Sequence, residues 1–142
     1  MKWDLKIVIM KKIITAMIAA SAALFMASCG GSIDLNGKWE ITTLNGEQVK
    51  AVETAPFIEF NTAEGKVHGH TSCNIMNGSY TQDGKKLTFS KMATTMMAGP
   101  DMELEGAVLD AINKTASVKN GSEGKILALD AEGNVLMELQ KK

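Results

Sequence analysis

The chain contains no arginine, so all of its formal positive charge comes from lysine. From residue 30 onward, eleven lysines face fifteen acidic residues, which gives this part of the chain a net charge of −4. Proteins that bind nucleic acid need a basic surface to neutralise the phosphates. An acidic chain without arginine is therefore not expected to bind nucleic acid.

Several motifs of enzymatic chemistry are also missing. The sequence has no phosphate-binding loop, no dinucleotide fingerprint and no pair of catalytic carboxylates, and it contains only two histidines. No internal repeat is present. A chain of 142 residues has room for one domain. These absences favour a single, non-enzymatic domain without a cofactor.

The N-terminal segment, residues 1–28, has the pattern of an export signal. Lys11 and Lys12 precede an apolar run that is short for a membrane span and ends in small residues. A start at Met10 gives a basic stretch followed directly by the apolar one, whereas the segment before it carries Asp4. We therefore expect a signal peptide over residues 1–28, with translation starting at Met10.

The signal ends in Met-Ala-Ser-Cys, an aliphatic residue and two small residues before Cys29, which resembles a bacterial lipobox. Cys29 is then acylated and becomes the first residue of the mature protein. The alternative is cleavage by the general signal peptidase, which leaves an ordinary thiol. Acyl chains tether a protein to a membrane without spanning it. We expect a lipid-anchored protein of the cell envelope, in the outer membrane.

Acylation of Cys29 would leave Cys73 as the remaining thiol, because the chain has two cysteines. An intramolecular disulfide is then excluded. Residues 29–36 are expected to form a short lipidated linker, and residues 37–142 the domain.

Alternation of apolar and polar residues predicts about eight short strands in the domain. Turn signals at Asn45-Gly46 and Asp83-Gly84 separate some of them, and Gly65 is available for a positive φ in a hairpin. The segments are 38–44, 56–61, 66–71, 79–82, 86–95, 116–120, 125–130 and 134–140. Residues 72–78 read as irregular.

One segment, 100–116, has helical periodicity. Its apolar residues recur every three to four positions, Pro100 suits a first turn, and acidic residues suit the N-terminal end of the helix dipole. The apolar positions are Leu104, Val108, Ala111 and Ile112, and the acidic ones are Asp101, Glu103 and Glu105. Strands with one inserted helix indicate an α+β fold, an antiparallel meander curled around the helix or capped by it.

Residues 68–80, HGHTSCNIMNGSY, contain candidate metal ligands. On a strand, His68 and His70 share a face, and Cys73 follows closely. These supply three ligands and the chain has no further histidine, so we expect no metal here. A thiol and an imidazole could also form a nucleophile and base, but we interpret Cys73 as a buried structural thiol.

Four methionines near the helix have two interpretations. Thioethers suit soft metals such as copper, and flexible thioethers also fill gaps in cores. We expect the second, a gap-filling core between strand and helix, for Met92, Met96, Met97 and Met102.

Taken in order, four stretches of the chain resemble the META domain family, the group of HslJ-like bacterial lipoproteins. They are LNGKWEITTLNGEQV (35–49), residues 56–89, MATTMMAGPDMELE (92–105) and KILALDAEGNVLMEL (125–139). The family's fold-signature turn is matched by Gly69, Cys73, Asn74, Gly78 and Tyr80. Its helix entry is matched by Thr95, Met97, Ala98 and Pro100.

The chain departs from the family pattern at two positions. Ser72 replaces a glycine, and Gly99 stands where many members carry a second cysteine, the expected partner of the one at 73.

The resemblance implies a strongly bent, half-barrel-like antiparallel sheet packed on one α-helix. Envelope stress tolerance, drug resistance and secretion have been attached to the family, without an enzymatic activity. We therefore expect a non-enzymatic membrane-anchored lipoprotein that supports stress tolerance or binds an envelope protein. The alternatives are a carrier of a small apolar ligand or lipid in the sheet interior and, less favoured, a metal-dependent or thiol enzyme.

Overall fold

A computed structural model describes residues 31–51 and 53–142. The predicted signal peptide and the predicted lipidation site Cys29 lie outside the described residues. Ser32–Lys142 form one compact unit. Within the described part of the chain, no helix is long and apolar enough to cross a membrane.

Nine strands and one α-helix make up the described fold. The strands are β1 (Gly37–Leu44), β2 (Glu47–Gln48), β3 (Phe57–Asn61), β4 (Lys66–His70), β5 (Ile75–Asp83), β6 (Lys86–Thr94), β7 (Ser117–Asn120), β8 (Ile126–Leu129) and β9 (Val135–Lys141). The helix α1 (Met102–Lys114) lies between β6 and β7, and a short 3-10 turn (Ser122–Gly124) lies between β7 and β8.

The strands form one antiparallel sheet that closes on itself. Strands β1 and β3 to β9 pair in chain order, and β9 returns to pair with β1, so that Glu40 lies opposite Gln140. The two-residue strand β2 pairs only with the end of β1. The predicted α+β fold, a bent sheet packed on one helix, is confirmed. The sheet goes further than a half-barrel, because eight of its strands close into a barrel.

The hairpins follow the turn residues in the sequence. Gly65 has a φ of +64° in the β3–β4 turn, where a residue with a side chain would be strained. Asn45 and Gly46, between β1 and β2, both have positive φ, as expected for an Asn-Gly turn.

Helix α1 packs against β1 and β9 with the stripe that its periodicity predicts. Val108, Ala111 and Ile112 are almost fully buried in the core, and Leu104 is partly buried. The buried face also carries Glu105. The helix therefore covers the barrel with an apolar stripe that contains one carboxylate at its N-terminal end.

The barrel interior is occupied by side chains. Eight large side chains from the strands and from residue 35 have less than 2% of their surface exposed. They are Leu35, Ile41, Ile58, Phe60, Met76, Leu87, Met137 and Leu139. Side chains of this size, packed at protein density, fill a small barrel.

Two glycines make room for methionines in the barrel wall. A Cβ on Gly69 would lie 2.5 Å from Met76 Cε and 2.4 Å from a backbone oxygen, and one on Gly78 would lie 2.2 Å from Met92 Sδ. Neither position has room for a larger residue without movement of its neighbours. At Gly69 the backbone oxygen belongs to Phe57 on the neighbouring strand, so both that strand and Met76 require the absence of a side chain.

The packed domain includes residues that the sequence pattern assigned to the linker. Ile33 and Leu35 are buried in the core, and the Trp39 indole N–H donates to the Leu35 carbonyl oxygen at 2.7 Å. The compact unit begins at Ser32.

The segment predicted to be irregular, residues 72–78, is strand over its second half. Strand β5 begins at Ile75, and Met76 points into the core. The register between β5 and β6 shifts at Gly78, between Asn77 and Ser79. This bulge breaks the simple alternation from which strands are predicted.

Candidate functional site

The loop between β4 and β5 is held by the side chain of Asn74, which is fully buried. Its Oδ1 accepts hydrogen bonds from the Met97 backbone N–H and the Thr95 hydroxyl, both at 2.8 Å. Its Nδ2 donates to the Met97 carbonyl oxygen at 3.0 Å and to Glu105 Oε2 at 2.6 Å. One amide therefore joins the loop, the segment after β6 and helix α1.

Glu105 is 8% exposed and accepts two hydrogen bonds at the same carboxylate oxygen. The second comes from the Thr71 hydroxyl at 3.0 Å. The Thr71 oxygen itself accepts from the Asn74 backbone N–H at 2.9 Å, and the Thr71 N–H donates to the Asn74 carbonyl at 2.8 Å. A buried carboxylate is tolerated here because fixed donors replace its water.

Ser72 shows why the family motif has a glycine at this position. Its φ of +85° lies in a region that favours glycine. The Ser72 hydroxyl donates to Asp101 Oδ2 at 2.6 Å, and both residues are buried. Asp101 precedes helix α1 but makes no side-chain cap to it. Compared with glycine, the serine strains the backbone at this position, but its hydroxyl adds a hydrogen bond to the residue that precedes α1.

Cys73 is partly exposed rather than buried as predicted, and it faces the helix entry, not the histidines. Its sulfur lies 3.7 Å from the Met97 carbonyl oxygen and 3.6 Å from Met102 Sδ. Burial raises the pKa of the thiol, and the charges of Glu105, Asp101 and Glu53 raise it further. A thiol of this kind stays protonated at neutral pH, and the protonated form is a poor nucleophile.

Gly99 lies directly beside this thiol. A Cβ built on Gly99 would be 2.5 Å from Cys73 Sγ and 4.0 Å from Cys73 Cβ. The second distance falls within the range of about 3.5–4.5 Å that disulfides show. The geometry therefore agrees with the implied pairing of positions 73 and 99 in those family members that carry both cysteines.

The two histidines share the outer face of β4, as their spacing predicts. His68 Nδ1 is 2.8 Å from Asn77 Oδ1, and the Ser72 N–H points at His70 Nδ1 at 3.1 Å. Both rings also lie beside Phe57. Among the described residues, no three His, Cys, Asp or Glu side chains are grouped so that they could hold a metal ion. His68, His70 and Cys73 thus do not converge.

The expectation of a methionine-filled core holds only for Met92, which packs partly buried against the core. Met96, Met97 and Met102 are 96%, 59% and 47% exposed, and Ile75 is 41% exposed. The prediction is wrong for these three because the chain from Met96 to the first residue of α1 lies on the outside of the barrel. We call Ile75, Met96, Met97 and Met102 the methionine patch.

The fold-signature residues divide into two groups. Gly69, Gly78 and Tyr80 lie in strands, where the glycines accommodate methionines and Tyr80 packs edge-on against Phe60 at 5.0 Å. Cys73 and Asn74 lie in the loop. At the helix entry, Thr95 and Met97 are the partners of Asn74, so the two family motifs meet at one side chain.

Three residues of this cluster were not singled out as site residues by their sequence pattern: Thr71, Asp101 and Glu105. The sequence pattern accounts for the two acidic residues only through the helix dipole. One signal was available for Glu105, because it lies three and seven residues before Val108 and Ile112, on the apolar stripe of the helix. A carboxylate on such a stripe has to find donors in the fold.

The fold and the cluster define a small closed barrel with one helix, in which two sequence motifs are joined by a buried polar network. The model of the META domain family matches residues 32–142, and the chain belongs to that family. No curated protein matches the chain.

Two solved structures share the fold at low identity. A protein from Burkholderia xenovorans, solved by NMR, is 23% identical with a TM-score of 0.57, over 76% of this chain and 83% of that one. A crystal structure of a DUF4847 family protein from Bacteroides vulgatus is 14% identical with a TM-score of 0.58, over 78% of this chain and 95% of that one. At these identities the likeness concerns the fold alone.

Proposed function

We propose that this chain is a membrane-anchored lipoprotein of the cell envelope whose META barrel binds a partner protein and catalyses no reaction. The anchor rests on the lipobox-like sequence that ends at Cys29, and the outer membrane is its expected location. The observation that carries the binding role is the methionine patch, four exposed apolar side chains at the start of β5, in the segment after β6 and at the start of α1.

The patch is held in place by the polar cluster beneath it. Thr95 donates its backbone N–H to the Ile75 carbonyl at 3.0 Å, and its hydroxyl accepts from the Ile75 N–H at 3.1 Å. Met97 is fixed through both backbone groups by Asn74. A patch with its backbone fixed loses little backbone entropy on binding, while thioether side chains adapt to the contours of a partner.

The charges around the patch indicate what the partner carries. Glu103 follows Met102 in the helix, and Glu53 and Asp101 lie near enough to Cys73 to act on its thiol. Because this part of the chain is acidic, we propose a protein partner with exposed apolar side chains flanked by lysine or arginine. Complementary charge of this kind raises the association rate at low salt, and the rate then decreases as salt is added.

The interior of the barrel argues against the alternative, a carrier of a small apolar ligand. The positions that would line a ligand cavity hold fully buried large side chains such as Phe60 and Leu87. A carrier would have to displace this packing. The thiol chemistry of Cys73 is likewise disfavoured, because its sulfur contacts a carbonyl and a thioether, which are poor bases.

Cys29→Ser is expected to release the protein from the membrane fraction into a soluble exported form. The hydroxyl of serine cannot take the place of the acylated sulfur, and the membrane affinity of the anchor comes from its acyl chains. Cell fractionation with immunodetection measures the distribution. The Cys73→Ser variant, which changes the other cysteine of the chain, is the matched control and should stay in the membrane pellet. A Cys29→Ser protein that also pellets with membranes would contradict the anchor.

Replacement of Met96 and Met97 together by serine is expected to lower partner capture at least about tenfold, because apolar anchors carry much of an interface's energy. Replacement of both by leucine should keep capture within about twofold, since leucine preserves apolar volume. Capture is measured by crosslinking and affinity purification from detergent-solubilised membranes, with quantitative mass spectrometry. Equal recovery of the same proteins by the serine and leucine variants would contradict docking at the patch.

A further inference from the structure

The segment that precedes β1 is fixed to the barrel at the end of strand β5. The Gln82 side-chain amide donates to the Ile33 carbonyl oxygen at 2.8 Å and to the Gly84 carbonyl oxygen at 3.1 Å. Ile33 and Leu35 are also buried in the core. The fold therefore sets the point from which the chain leads back toward its N-terminus, and this point lies beside the turn between β5 and β6.

The methionine patch lies at the opposite end of the same strand. Ile75 is the first residue of β5, and Met96 follows closely after Thr94, the last residue of β6. At about 3.3 Å per residue, the Cα atoms of Ile75 and Gln82 are about 23 Å apart along the strand. Most of the length of β5 therefore separates the patch from the point at which the N-terminal segment is held.

The proposed anchor joins the membrane to the end of the barrel that carries Gln82. Cys29 lies four residues before Ile33. A fully extended chain of that length spans at most about 14 Å. Acylation at Cys29 would therefore keep this end of the barrel close to the membrane surface, while the patch lies farther away by the length of the strand.

The charges near the patch act against an orientation in which the barrel lies on its side and the patch reaches the bilayer. Residues 92–113 contain four acidic residues and no lysine. Two of them, Asp101 and Glu103, flank Met102 at the start of α1. Anionic headgroups repel such a surface, and apolar surfaces that enter a membrane interface are typically flanked by lysine or arginine. The acidic surroundings therefore favour a patch that faces water.

We infer that the barrel holds the methionine patch away from the membrane, so that its partner is a water-exposed protein domain and not the bilayer or a transmembrane helix. This inference rests on the proposed anchor at Cys29, and it adds to the proposed function the class of protein that binds the patch. The barrel is then a spacer, tied to the membrane at the Gln82 end and open to a basic, aqueous partner at the Ile75 end.

The test measures how close each end of the barrel lies to a membrane. The acylated protein is reconstituted in vesicles that contain phosphatidylglycerol, with one fluorescent label on a single free thiol. Cys73→Ser removes the native free thiol, because Cys29 carries the lipid. The label is attached in the Asp83→Cys variant, beside Gln82, or in the Met96→Cys variant, and both native residues are exposed. A nitroxide on the lipid headgroup should quench the label at position 83 and leave the label at position 96 unquenched.

Iodide in the buffer provides the complementary measurement. It should quench the label at position 96 as strongly in vesicles as in detergent, because the patch stays in water. Lys85→Cys and Glu103→Cys, two further exposed positions at the two ends, repeat the comparison with different substitutions.

The outcomes separate this inference from the proposed function. Equal quenching by the nitroxide at positions 83 and 96, in a protein that floats with the vesicles, would overturn the inference alone, because the patch would then lie at the bilayer. A protein that does not float with the vesicles would show that Cys29 carries no lipid. That result would overturn the anchor of the proposed function and the inference together.

Discussion

Asn74→Ala is expected to lower the free energy of unfolding by about 3–5 kcal/mol, a large part of the stability of a domain of this size. The substitution removes four hydrogen bonds made by one buried amide. It also leaves the Met97 backbone N–H without its acceptor and Glu105 with one donor fewer. A buried polar group that loses its partner costs about 1–3 kcal/mol, and a charged one costs more.

Asn77→Ala is the matched control for this prediction. Asn77 lies three residues further on, is exposed in β5, and makes one side-chain contact, to His68 Nδ1 at 2.8 Å. Its replacement should change stability by less than about 1 kcal/mol. Urea unfolding followed by tryptophan fluorescence measures both variants. Similar unfolding midpoints for the two alanine variants would show that Asn74 does not hold the loop.

A double-mutant cycle tests whether the network acts as a unit. Thr95→Val removes the hydroxyl that donates to Asn74 Oδ1. If the two side chains stabilise the fold through each other, the double variant should be more stable than the sum of the single effects predicts, by about 1 kcal/mol or more. Additive effects would mean that Asn74 and Thr95 stabilise the fold separately.

Most strands and the helix were predictable because their signals are local. Alternation in β1, β3 and β4 and the apolar stripe of α1 each depend on residues within one element. Gly65 indicated its turn because a positive φ at a turn position favours glycine. Strand β5 was predicted too short, since the bulge at Gly78 interrupts alternation.

Barrel closure and the polar cluster were not predictable from local pattern. Closure depends on β1 pairing with β9, roughly a hundred residues away, and nothing in either strand specifies its partner. The resemblance to the family pointed to Asn74, but the partners of its side chain lie 21 to 31 residues further along the chain. Only the fold shows that two motifs are joined by one side chain.

The exposure of three methionines was mispredicted for a related reason. Residue type alone favours burial of Met96, Met97 and Met102, but the chain from Met96 to the start of α1 lies on the outside of the barrel. The same part of the chain contacts the β4–β5 loop twice, through Met97 at Asn74 and through Met102 at Cys73.

Gly99→Cys is expected to form a disulfide with Cys73 and to raise the free energy of unfolding by about 3.5 kcal/mol, the chain-entropy value for a loop of this length. The Cβ separation of 4.0 Å allows the bond, although the Cys73 side chain has to rotate away from the 2.5 Å approach to the new Cβ. For a domain of this size the melting temperature should rise by roughly 10–15 °C.

The measurement uses the Cys29→Ser background, so that no third thiol can exchange. Melting of the oxidised Gly99→Cys variant is compared with the same protein in reductant, where the gain should disappear. Gly99→Ser is the matched control, because it adds a side chain of similar size that cannot form the bridge and should respond to neither oxidant nor reductant. Mass spectrometry that finds two free thiols in the folded, oxidised variant would contradict the equivalence of Gly99 with the second cysteine of the family, because the structure places the two positions within bonding reach.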